Sequence, residues 1–246
     1  MSIESGRSQA TLTSASPPAI ALFVITAILS ACQAEPQAPR FPDADRPVAA
    51  IVSDRFSTED ARDRLGEAEE VMAFAGVKPG MSVADIGAGE GYYTIRLSPI
   101  VGPKGRVLAQ DIMPLTRDRL AERVDRDKLD NVSVRLGRPD DPRIPAASFD
   151  RIFLVHMYHE VTAPYAFLWH LRAGLRQGGE IIVVDADRGV RQHGMPRSQL
   201  ACEFAALGLD QVRIATLAST TDYAAAFRIA RPRPEPGSIK ACGTQS

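Results

Sequence analysis

The tightest constraint on the fold sits about a third of the way along the chain. An apolar run over residues 81–86 breaks directly into Gly87-Ala88-Gly89-Glu90-Gly91, and an amphipathic stretch follows from residue 92 to 101. A short buried strand, a glycine loop and a helix in immediate succession form a βα turn of a parallel sheet. There the N–H groups at the start of the helix face a ligand.

The rest of the chain repeats that unit. Residues 57–75 read as a helix opened by a capping box, Ser57 with Asp60 three residues on. In it Leu65, Ala68, Met72 and Ala75 fall at helical spacing, and Gly76 supplies the stop. Strands are expected over 106–111, 131–136, 149–156 and 180–187, with helices over 114–129, 164–175 and 196–207 between or after them. The final two strands, near 211–217 and 223–230, are separated only by "ASTTD", too short for a parallel crossover, so they pair antiparallel. The expected fold is α/β: a three-layer sandwich around a mostly parallel seven-stranded sheet ending in an antiparallel hairpin. Ligands of such sheets bind beyond the carboxyl ends of the strands, at the switch point where the glycine loop lies.

Two nucleotide chemistries compete for that loop. A dinucleotide fingerprint spaces its glycines G-x-G-x-x-G. Here the spacing is G-x-G-x-G through Gly87, Gly89 and Gly91, with Glu90 inside the loop and Asp85 just before it. Two carboxylates oppose a pyrophosphate and suit a ligand carrying sulfonium and ammonium charge. A nicotinamide oxidoreductase is therefore disfavoured.

On these residues the chain resembles the class I S-adenosylmethionine-dependent methyltransferases, Rossmann-like enzymes whose first motif is acid-x-G-x-G-x-G. The resemblance extends over residues 65–230, with the "LRQGGEIIVVD" turn at Gly178-Gly179 and the terminal hairpin. It implies S-adenosylmethionine as cofactor and methyl transfer as the activity. It implies that Asp85 holds the methionine ammonium end, while Gly87, Ala88, Gly89 and Gly91 admit the cofactor close to the backbone. Asp111 and its neighbour Ile112 would hold the ribose, because a carboxylate can accept from both hydroxyls of a vicinal diol. One departure stands out. Where family members often show Gly-acid after the third strand, this chain has Gly137-Arg138-Pro139, which leaves Asp140 as the candidate for the adenine amino group, with Asp141 or a plain solvated loop as alternatives.

The acceptor side is expected in "VHMYHEV", residues 155–161. His159 is the candidate base, with Glu160 or Tyr158 orienting it or the acceptor. His156 reads as a hydrogen-bonded core group. His193 lies in a loop that either roofs the acceptor or caps the chain. Phe167 and Trp169 read as core, and His-x-x-His-Glu matches no familiar metal-ligand spacing, so no metal is expected. The acceptor is expected to be a small or lipid-like molecule, and its identity is not legible.

The N-terminus points to an address. Residues 19–30 carry no charge and match the apolar core of a secretory signal, too short to span a bilayer. They end in Leu29-Ser30-Ala31-Cys32, which resembles a bacterial lipobox, so Cys32 is the expected lipidation site. Residues 1–31 would be leader, 32–56 a Pro-rich flexible tether, 57–231 the methyltransferase domain and 232–246 a Pro-rich tail. A lipid-anchored protein at the periplasmic or outer face of a bacterial membrane follows; without a working signal the chain would be cytoplasmic. Export sits awkwardly with a cofactor made in the cytosol, and keeps open an exported lipoprotein that binds an adenosyl-type ligand without catalysis. A formal net charge of -1 and no basic run give no footing for nucleic acid. Cys202 and Cys242 are either free or, in an oxidising compartment, paired to pin the tail.

Overall fold

The structure, a computed structural model, describes residues 39–51 and 59–243. The leader, Cys32 and the capping-box Ser57 lie outside the described residues.

Seven strands form one sheet: β1 (Ser82–Ile86), β2 (Arg106–Asp111), β3 (Val132–Leu136), β4 (Phe149–Val155), β5 (Leu175–Asp185), β6 (Leu209–Thr216) and β7 (Tyr223–Ile229). Their order is β3-β2-β1-β4-β5-β7-β6. The first five run parallel, and β7 joins antiparallel to both β5 and β6. The expected three-layer sandwich with its terminal hairpin is the observed fold. Strand β1 beyond Ser82, residues 152–154 of β4 and residues 179–185 of β5 are buried, as strands covered on both faces must be.

Among the described residues there are six α-helices: α1 (Glu59–Leu65), α2 (Glu67–Ala75), α3 (Tyr92–Val101), α4 (Pro114–Arg126), α5 (Pro164–Leu171) and α6 (Arg197–Ala206); α2 to α6 bury residues against the sheet. Val71 and Met72 of α2 and Leu97 of α3 pack with Val83, Phe153 and Ile182 on one face. Leu168 of α5 and Leu200 and Phe204 of α6 pack with Ile152, Ile181 and Val183 on the other. Leu120 and Val124 of α4 cover Ala109.

Three expectations need correction. The helix expected over 57–75 is two helices, because Gly66 takes the left-handed conformation (φ 71) between them. Leu65 at that corner is 52% exposed rather than part of a core stripe. The Gly178-Gly179 turn before the fifth strand is instead a bulge within β5, where pairing with β4 jumps from Phe149↔Leu175 to Arg151↔Glu180.

The third correction concerns the expected tether and tail. Arg46 is buried and donates through Nε to Glu203 Oε1 at 2.7 Å. Ala49 N–H donates to the His159 carbonyl at 3.0 Å, and Phe41 sits edge-on to Trp169 with ring centroids 5.6 Å apart. At the other end Cys242 is disulfide-bonded to Cys202 of α6, and Trp169 Nε1 donates to the Pro234 carbonyl. The described stretches, 39–51 and 232–243 with its 3₁₀ turn at Pro236–Ser238, lie against the domain without apolar periodicity, so composition alone reads them as loose. Trp169 is accordingly half-buried under the tail, whereas Phe167 lies in the core.

Candidate cofactor and acceptor site

One cavity of about 680 Å³ opens at the carboxyl ends of β1, β2, β4 and β5. Its cofactor half is built by the βα turn after β1. Gly87 sits at φ 69, and a Cβ there would lie 2.9 Å from Met157 Cγ, so the loop and the segment after β4 touch only because the residue is glycine. Gly91 (φ 90) stands at the N-cap of α3. Asp85 is 3% exposed and accepts from Thr94 Oγ1 at 2.6 Å. Burial pushes its carboxyl up to about 6; the Thr94 bonds and the Arg62 charge oppose that rise, and the Asp111 charge adds to it.

Asp111, closing β2, faces the same loop. Its Oδ2 accepts from Gly89 N–H at 3.0 Å and its Oδ1 from Met113 N–H at 2.8 Å. Those bonds fix the carboxylate and leave lone pairs on both oxygens for further donors. Glu90 is on the exposed rim, 3.9 Å from Arg119.

The acceptor half comes from three separate stretches. A 3₁₀ turn, Tyr158–Glu160, follows β4, and a second, Val190–Gln192, follows β5. His159 is 1% exposed, and its Nδ1 lies 2.9 Å from Asp185 Oδ2 at the end of β5. The Asp185 carboxylate is itself anchored by the Ala186 N–H on Oδ1 at 2.8 Å. A carboxylate only accepts, so Nδ1 carries a proton, and in the neutral imidazole the lone pair is on Nε2. That Nε2 is buried without a hydrogen-bond partner, as is Nδ1 of His193. The two rings meet edge-on with centroids 5.7 Å apart, and Glu160 lies on the same wall.

The structure brings Asp85, Gly87, Ala88, Gly89, Asp111, Ile112, His159 and Glu160 to one cavity. Gly91 acts from behind, as the start of α3. Asp140 does not line the cavity; Arg138 and Pro139 stand at that edge instead, and the Asp140 carbonyl faces the His170 ring. Tyr158 needs correction as an orienting group. Its ring is fully buried behind the wall, and its hydroxyl donates to Glu203 Oε2 at 2.6 Å. Being next to His159 in a 3₁₀ turn, it points away from the space His159 faces. His156, expected in the core, is half-buried and lines the cavity; it keeps a polar partner, with Nε2 3.4 Å from Glu67 Oε2. Burial works against ionisation of Glu67, but His156 and Arg62 hold its carboxyl at about 2.

Two residues that shape the site escaped sequence reasoning, Gln110 in the cavity and Asp185 behind its wall. Gln110 is buried and lines the cavity, with an unpartnered Nε2. Asp185 falls inside the strand expected over 180–187, and nothing local to it signals that it grips an imidazole 26 residues earlier.

Residues 83–179 match the family model described as a methyltransferase domain. The chain is 39% identical over 84 residues to nocamycin O-methyltransferase of Saccharothrix syringae, covering 34% of this chain and 30% of that protein. It is 31% identical over 127 residues to a ubiquinone/menaquinone biosynthesis C-methyltransferase of Shewanella sp. (strain ANA-3), covering 50% of this chain and 49% of that one. It thus spans a third to a half of the length of these curated relatives. Among solved structures, an S-adenosylmethionine-dependent methyltransferase from Aquifex aeolicus superposes with a TM-score of 0.61 at 25% identity, over 70% of this chain and 99% of that one. The strand order, the acid-flanked glycine loop and these likenesses converge: residues 83–179 are similar to a methyltransferase domain, set in a fold shared with the S-adenosylmethionine-dependent enzyme of Aquifex aeolicus.

Proposed function

We propose that this chain transfers a methyl group from S-adenosylmethionine to an acceptor seated against the His159 wall. The supporting observation is the pairing of Asp85 and Asp111 on either side of the glycine loop, within one cavity that also reaches His159. In that arrangement Asp85 faces the cofactor's ammonium group and Asp111 its ribose hydroxyls. Gly87 to Gly89 let the sulfonium approach the backbone. Methyl transfer is an in-line displacement, so alignment and exclusion of water supply much of the rate. Calorimetric titration with S-adenosylhomocysteine tests the site, and a mass-spectrometric search for products of methyl-labelled cofactor tests turnover. Binding without any labelled product would leave the non-catalytic, ligand-binding reading in its place.

The proposed location is outside the cytosol, on a lipid anchor at Cys32. The lipobox-like Leu29-Ser30-Ala31-Cys32 supports it, and so does the Cys202–Cys242 disulfide, since such bonds persist in oxidising compartments. Labelled palmitate incorporated by the native chain and not by Cys32→Ser is the expected result; an unlabelled native chain rejects the anchor.

A further inference from the structure

We propose that His159, Glu160 and His193 form a divalent-metal site of the zinc type on the acceptor wall, with Asp185 as its outer support. One ligand atom from each of the three residues lies within 4.8 Å of the other two. The donors therefore already converge, and a tetrahedral ion needs them about 3.3 Å apart, a small side-chain adjustment.

The argument for an ion over a plain polar cluster rests on the nitrogens. Both His159 Nε2 and His193 Nδ1 are buried without a partner. An unsatisfied buried polar atom is destabilising, and two facing one space call for a common occupant. The His159–Asp185 contact adds the outer element that metal-binding histidines characteristically show: a carboxylate on the far ring nitrogen that fixes tautomer and orientation. The backbone agrees. His193 sits at φ 54, an uncommon left-handed conformation for a side-chain-bearing residue, and this turns its ring toward His159. The sequence hid the set because one ligand follows a different strand from the other two.

Two imidazoles and one carboxylate are the donor set of a catalytic zinc centre, which keeps a position open. That position faces the cavity shared with the glycine loop, whose Gly87 packs against Met157, two residues before His159. The implied acceptor class is a molecule with an ionisable hydroxyl or thiol. Bound to the ion, that group loses its proton to water. Its lone pair then forms the bond to the methyl carbon, as the sulfonium–methyl bond breaks and its electrons return to sulfur. This last step rests on the methyltransferase reading; metal binding does not. With Nε2 on an ion, His159 is a ligand and not the base.

The test uses the full chain, treated with chelator and dialysed, then titrated with zinc against a chromophoric competitor and with cobalt(II) followed by visible absorption. The expected result is one ion per chain. His159→Ala and His193→Ala should each weaken zinc more than about 100-fold, and Asp185→Asn by about 10–100-fold. Acetohydroxamate should shift the cobalt bands through the open position, and S-adenosylhomocysteine affinity should stay unchanged in His193→Ala. No bound zinc, native zinc affinity in both histidine variants, or cobalt bands indifferent to acetohydroxamate overturns the proposal. If His159→Ala does not fold, His193→Ala in its half-exposed loop decides alone. Nucleoside binding without zinc removes the metal site and spares the methyltransferase reading; zinc without nucleoside binding does the reverse.

Discussion

The two ends of the cavity are built in opposite ways. The cofactor end takes its contacts from one unbroken segment, Asp85 to Gly91, plus the last residue of the neighbouring strand. The acceptor end gathers His159, Asp185 and His193 from two strand ends and a loop, and is braced from behind by Arg46, Tyr158 and Glu203. A contiguous site is set by local backbone geometry. An assembled one depends on the packing that holds its pieces in register, and so can be damaged from a distance.

That difference predicts which substitutions hurt what. The largest effect is expected at the brace. Arg46→Ala strands the buried Glu203 carboxylate, and removal of one partner from a buried pair costs about 3–5 kcal/mol. Denaturant melts should show that loss, while S-adenosylhomocysteine affinity, measured well below the midpoint, stays within about twofold. Equal damage to both would erase the distinction between the two ends.

Next comes Asp111→Ala. It removes charge-assisted bonds worth about 1.5–3 kcal/mol, so nucleoside affinity should fall about 10–100-fold with little change in melting. Native affinity would remove Asp111 from the ribose site.

A smaller effect separates the two ends by pH. Asp85 has a folded-state carboxyl raised to about 6, above the unfolded value, so the native state holds the proton more tightly. Ionisation of Asp85 therefore costs the free protein stability as pH rises past 4 toward 6, and a cationic ligand recovers that cost. Thr94 and Arg62 favour the ionised form, and Asp111 opposes it. Affinity for S-adenosylmethionine should rise about tenfold from pH 5 to 7, the change in ionised fraction for a group titrating near 6. Asp85→Asn should flatten that rise; a rise of the same size in the variant assigns it elsewhere.

The same contrast explains what the sequence disclosed. The glycine loop, the second-strand acid and the strand–helix alternation are local patterns with local physical causes, and each was readable from residue types and spacing. The Gly66 break was not, because one glycine between two good helical runs reads as either a break or a tolerated interior position. The His159–Asp185 contact was not readable either, since only parallel pairing of β4 with β5 brings positions 26 residues apart together. The straps over residues 41–49 and 239–242 were invisible for a third reason: they are held by an ion pair, a disulfide and single rings, none of which leaves a period in the sequence.

The most direct test of the central claim is calorimetric titration of the full chain with S-adenosylmethionine, S-adenosylhomocysteine and NAD in parallel. Binding of both sulfur nucleosides at one site per chain, weakened about 10–100-fold in Asp111→Ala, with no heat from NAD, is the predicted result. Saturable binding of NAD with no response to either sulfur nucleoside would contradict it.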